Sequence, residues 1–239
     1  MGEAMWWAFV GASALLIGVL LAFWMPIGRR LLGMIMAFGA GVLISAVSYE
    51  LVEEAVAVAA DSYAVAAGFV AGALVFFTGD VLIDRHVASA SARGGGGFGI
   101  VLGAVLDGIP ESVVIGASAL AGESASVAVI VAVFLSNVPE SIAASTDLVR
   151  DGMPKGRVLL MWIVVVATST IAAGVGYALL KDASGVWVSA IQAFAAGAIL
   201  TMLADEMIPE AFEKTEHRKS VGLAVAFGFA LSAALSFSS

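Results

Sequence analysis

An all-α integral membrane protein is the fold class this sequence predicts, and three observations predict it. The chain of 239 residues is 61% hydrophobic and only 13% charged, with a mean hydropathy of +1.05. A soluble globule of this size has no interior large enough to hide that much apolar surface. The apolar residues gather into segments of about 20, the length at which a helix crosses a bilayer core. Ten of the eleven Lys and Arg residues fall between alternate segments, the bias that marks the cytoplasmic face of a membrane protein.

Taken in order, eight spans fit that ruler: 4–24, 31–54, 63–83, 98–120, 125–148, 157–180, 186–211 and 220–237. They form a single domain over residues 1–239. The first span has neither a positive flank before it nor a small-residue cleavage site after it, so it is expected to be retained. Arg29 and Arg30 lie in the first loop, Arg85 and Arg93 in the third, Arg150, Lys155 and Arg157 in the fifth, and Lys214, Arg218 and Lys219 in the seventh. Lys181 alone stands in an even-numbered loop. Odd loops are therefore expected in the cytoplasm and both termini outside it, in a multi-pass protein of the plasma membrane. Arg93 to Gly97 reads as a flexible linker, because it lacks the lysine and strand context of a phosphate-binding loop. Trp6, Trp7, Trp24 and Trp187 stand near span ends as expected interfacial anchors. His86 and His217 fall in loops beside charged residues, where solvation is expected.

Composition also excludes chemistry. With no cysteine there is no disulfide, thiolate metal site or cysteine nucleophile. A net charge of -8 leaves no basic surface for nucleic acid. No ATP-binding motif is present, so work across the membrane would draw on ion gradients or the membrane potential.

Two internal repeats organise the spans. Residues 37–55 align without a gap to 193–211, with seven of nineteen positions identical, including Glu50/Glu206 and Glu54/Glu210. The second span runs outward and the seventh inward, which makes this an inverted repeat relating helices 1–3 to 6–8 around helices 4 and 5. Such repeats mark many secondary transporters, whose sites lie near the midplane. The other repeat is a short phrase: Asp107-Gly108-Ile109-Pro110-Glu111-Ser112 in the fourth span and Ser136-Asn137-Val138-Pro139-Glu140-Ser141 in the fifth. Each proline is expected to break its helix beside a glutamate, freeing the Leu106 and Leu135 carbonyls.

Ionisable groups inside a bilayer cost about 2.5–3.5 kcal/mol each on insertion scales, so each requires a reason. Asp107, Glu111, Glu140, Asp205 and Glu206 fall well within spans, and no Lys, Arg or His stands in a span interior to neutralise them. Asp107 and Glu111 are i and i+4 on one face, as are Ser136 and Glu140, with Asn137 at i−3 from Glu140. Three carboxylates, an amide and two freed carbonyls make a hard oxygen set suited to a divalent cation. A proline kink that merely shapes the helix, or carboxyl groups bonded to one another, are the blander readings. For Glu53, Asp80 and Asp147, near span ends, a solvated or capping acid competes evenly with a pathway role.

At these residues the chain resembles the ZIP (Zrt- and Irt-like) family of divalent-metal transporters, in a divergent, bacterial-type form. The paired Pro-Glu motifs carry the resemblance, together with Gly39-Ala40-Gly41, Glu50 and Asp205-Glu206-Met207-Ile208-Pro209-Glu210. The resemblance implies a transporter, not an enzyme, that carries a divalent cation of the zinc, iron and manganese class toward the cytoplasm and needs no resident cofactor. It implies Asp107, Glu111, Asn137 and Glu140 as metal ligands, with Ser136, Glu50, Asp205, Glu206 and Glu210 as pathway or secondary metal residues. The partners it implies are the metal, the lipid bilayer and a second copy of the chain in a homodimer. The family's fourth-span histidine is replaced by Asp107 and its asparagine by Gly108, while a sixth-span glutamate used in binuclear relatives falls at Ser169 or Thr170. Two rival readings remain open: a membrane protein that kept the fold and lost transport, and an intramembrane hydrolase, which lacks a histidine or lysine base beside its serines.

Overall fold

The computed structural model describes residues 1–59, 63–91, 96–118, 127–215 and 218–237, and among these there is no strand. The helical segments, in chain order, are α1 (Gly2–Trp24), α2 (Arg29–Val58), α3 (Ala64–Ser91), α4 (Gly96–Ser118), α5 (Val127–Arg150), α6 (Lys155–Leu180), α7 (Gly185–Lys214) and α8 (Arg218–Ser236). Among the described residues seven helices are long and apolar enough to cross a membrane, α4 standing apart from that set. The chain is thus a multi-pass, all-helical membrane protein.

The polar punctuation falls where backbone geometry needs it. α5 ends with Gly152 at φ 92, which lets the Gly152 N–H donate to the Val149 carbonyl at 3.1 Å and the Met153 N–H to Leu148 at 3.0 Å. Those paired bonds satisfy carbonyls the helix end leaves open. Pro154 follows and caps the start of α6. Lys155 Nζ then donates to the Phe23 carbonyl at 3.1 Å, closing the end of α1. The expected linker at Arg93 to Gly97 is corrected in part: Gly96 and Gly97 begin α4, while Arg93 to Gly95 lie outside the described residues, as do His217 and the side chain of His86. Trp6, Trp24 and Trp187 are exposed, as anchors require, but Trp7 packs against the core.

The helices sort by burial. In the apolar window of α2, 67% is buried and in α5 61%, against 11% in α3, so α2 and α5 are central and α3 faces outward. The most extensive contacts pair α3 with α7 and α2 with α8; α1 lies along α5 and α6, and α4 along α6. Close approach in the first two pairs is made by glycine. A Cβ at Gly41 would fall on the Val225 carbonyl, and one at Gly228 on the Phe38 carbonyl. In the other pair a Cβ at Gly197 would fall on the Phe69 carbonyl, and one at Gly72 on the Phe194 carbonyl. Every residue in the first pair of contacts stands 156 positions from its counterpart in the second. Both long helices also leave the α conformation at the same place: α2 is π-helical over Val47–Glu53 and α7 over Leu203–Met207.

The expected breaks at the two prolines are not seen. α4 and α5 run continuously through Pro110 and Pro139. Helices are tolerated through proline inside membranes because neighbouring helices and nearby hydroxyls satisfy the backbone groups it frees. The Leu135 carbonyl faces Gly39 of α2, 3.2 Å from where that residue's Cβ would stand, and neither Leu106 nor Leu135 lines the cavity described next. The freed carbonyls therefore do not join the acids.

Candidate metal centre

Because α4 and α5 each present their motif toward α1 and α6, the motif side chains enclose a cavity of about 10 Å³, room for one water-sized sphere. Asp107, Gly108, Glu111 and Ser112 form its α4 wall, Asn137 and Glu140 its α5 wall, and Ala8 and Ala12 the α1 side. Ser169 closes it from α6; Thr170 instead lines an apolar groove on the outside, so Ser169 is the one that faces the motif. Gly108 is needed opposite it, since a Cβ there would stand 2.7 Å from Ser169 Oγ.

Three of the four expected ligands are deeply buried: Asp107 is 8% exposed, Glu111 4% and Asn137 4%. Asp107 Oδ1 is buried with no hydrogen-bond partner, a costly state for a carboxylate oxygen unless something else is to be bound. Glu111 faces the side chains of Asn137 and Ser136 as hydrogen-bonding partners. Asn137 Nδ2 also donates to the Gly11 carbonyl of α1 at 3.4 Å, tying the ligand wall to its neighbour. Ser136, fully buried, donates to the Val133 carbonyl at 3.0 Å and stands behind the wall of the cavity, not on it.

The last residue of each motif does equivalent work in both helices. Ser112 Oγ donates to the Gly108 carbonyl at 2.5 Å and Ser141 Oγ to the Asn137 carbonyl at 2.8 Å, each four residues back. These bonds fix the turn that carries the glutamate, where the proline has removed a backbone donor.

Asp107 and Glu140 also line a second, wider cavity of about 390 Å³, so the two spaces meet at these carboxylates. Its walls carry Asp80 and Asp84 of α3, Asp147 of α5, and Asp205, Glu206 and Glu210 of α7. Asp205, Glu206 and Glu210 thus stand where a path residue would. Glu50 does not: it is half-buried in the π-helical part of α2 and lines neither cavity. Asp84 had escaped attention in the sequence, although its i, i+4 spacing from Asp80 places both on one helix face. Glu210 is ion-paired, its Oε1 lying 2.9 Å from Lys214 Nζ. Among the described residues no three His, Cys, Asp or Glu side chains converge into a closed metal cage. The acids are instead distributed along the walls of the two cavities.

No curated protein matches the chain. A family model described as ZIP zinc transporter matches residues 83–236, a stretch that holds both Pro-Glu motifs, Asp84 and every wide-cavity acid of α5 and α7. On that match, over more than half its length, the chain belongs to the ZIP zinc transporter family of divalent-metal carriers.

Proposed function

We propose that the chain is a secondary transporter which carries a divalent cation of the zinc, iron and manganese class toward the cytoplasm. Asp107, Glu111, Asn137 and Glu140 hold the cation as it crosses, and the acids of the wide cavity receive it. The observation that carries this reading is Asp107: a carboxylate oxygen buried without a partner, at the junction of a one-ion cavity and an acid-lined vestibule. A membrane protein that had lost its cargo would have little reason to keep such an oxygen.

The eight-span arrangement, with α4 as the fourth, follows from the same reading. It places Asp84, Asp147 and Glu210 at span ends on the side of the odd loops, so the vestibule opens to the cytoplasm and both termini lie outside. The constant offset of 156 residues between the two glycine-to-carbonyl contacts, and the paired π-helical segments, support an inverted repeat of helices 1–3 and 6–8. The contacts also refine how access would alternate. α1 and α6 pack with α4 and α5, and the repeat partners α2, α3, α7 and α8 pack with one another. Movement of one group past the other would turn the cavity from one face of the membrane to the other.

Uptake of zinc, manganese and iron(II) into vesicles holding the purified protein tests the proposal. Metal-dependent uptake that is weakened in Asp107→Asn is expected. A protein that inserts and folds but moves none of these metals is the result that refutes it.

A further inference from the structure

We infer that Lys214 is a built-in counter-ion that weakens the exit vestibule's hold on the departing cation. The inference rests on the transport reading above and concerns the release end of the same path. Six acids line the vestibule beyond Asp107 and Glu140, and among the described residues Lys214–Glu210 is the ion pair that reaches it. The lysine is no loose surface chain. Its side chain is 11% exposed against 38% for Glu210, and its ammonium lies 2.9 Å from the carboxylate. The turn that carries it packs against α2 at Gly33, where a Cβ would fall on Thr215 Oγ1 and stand 2.9 Å from the Ala211 carbonyl and 3.0 Å from Lys214 Cβ.

Glu210 is well placed for such control, being within electrostatic reach of both Glu206 and Glu140. A cation leaving the inner cavity meets these carboxylates together. A path conducts only if its sites bind strongly enough to admit the ion and weakly enough to let it go. With Glu210 held by Lys214, the vestibule presents one fewer free carboxylate, and its field on the cation is reduced. An i, i+4 pair in the last turn of a helix also stabilises that helix, but this alone would not alter how tightly the path holds metal.

The test is manganese uptake into proteoliposomes by the parent, Lys214→Gln, Lys214→Arg, Glu210→Gln and the double variant Lys214→Gln/Glu210→Gln. Lys214→Gln should lower KM and the maximal rate together, each by about threefold, the factor expected of a partly exposed charge pair. Lys214→Arg should resemble the parent, and the double variant should recover both constants. Glu210→Gln, which leaves an unpaired ammonium at the mouth, should raise KM; it serves also if Lys214→Gln fails to fold. Parent-like constants in Lys214→Gln, no recovery in the double variant, or a lowered KM in Glu210→Gln each overturn the inference while the parent still transports. A parent that moves no metal overturns the transport reading with it.

Discussion

Replacing Glu111 by glutamine removes one negative charge from the cavity and changes little else. The side chain is 4% exposed and faces Asn137 and Ser136, and an amide of the same size can keep hydrogen bonds to both. What is lost is the attraction between a buried carboxylate and a divalent cation in a site holding at most one ion. Removing one partner from a buried charged set costs about 3 kcal/mol at the low end. That corresponds to a loss in affinity of roughly a hundredfold. Uptake measured well below saturation should fall by the same factor, and Glu140→Gln should behave alike. The assay is initial-rate metal uptake in proteoliposomes, with calorimetric binding in detergent on the same preparations and size-exclusion profiles to show that the fold is kept. Pro110→Ala is the contrast: α4 is already continuous through the proline, so activity should be reduced and not abolished. Parent-level uptake and affinity in both glutamine variants would remove the cavity from the transport path.

Other predictions address selectivity, packing and sidedness. Asp107→His adds a nitrogen donor and should raise the zinc-to-manganese uptake ratio, with Asp107→Asn beside it to separate softness from charge; a parent already as zinc-selective as the histidine variant would refute this. Gly41→Val and Gly197→Val should each lower stability by about 1–3 kcal/mol or more through collision with a carbonyl, read as thermal midpoints in detergent. Gly222→Ala meets nothing within 4 Å and should be neutral; equal midpoints in all three variants would contradict the packing. A cysteine replacing Asp151 should react with an impermeant reagent only from the cytoplasmic face and one replacing Asp182 only from the opposite face. Reaction of both from one side would break the span count.

The fold was legible because a bilayer leaves few options: segment length, apolarity and the placement of ten cations determine helices and their ends. The two Pro-Glu phrases and the i, i+4 pair of Asp107 and Glu111 were legible as a cavity wall for the same reason, since acids in a membrane must be used. Proline was misread. Sequence rules for an isolated helix predict a break, but α5 is continuous through Pro139, and the Leu135 carbonyl faces Gly39 of α2. Ser136 shares a helix face with Glu140, but its hydroxyl turns back to the Val133 carbonyl and it stays off the cavity lining, while Glu50, on α2, lines neither cavity. Lys214 reads as one more loop cation until Gly33 and Glu210 are seen to hold it. The i, i+4 spacing of Glu210 and Lys214 stands in the sequence, but the packing of that turn against the distant Gly33 leaves no local trace.

The π-helical segments have a consequence for how this protein can change over time. A π turn holds one residue more than the α turn it replaces, and removing that residue restores the ordinary helix. In α7, a single deletion within Leu203–Met207 would turn the π segment into ordinary helix and leave both Gly185 to Met202 and Ile208 to Lys214 facing as they do, whereas the same deletion in uninterrupted helix would rotate everything beyond it by about 100°. Glu210 and Lys214 would keep their place at the vestibule through a change in chain length. The same operation on Val47–Glu53 would leave Glu54 in place to accept its hydrogen bond from Gln192 Nε2 at 3.3 Å. Each π segment is thus a place where one codon can be lost without turning the acids beyond it, and the glycine contacts that hold the helices together stay untouched.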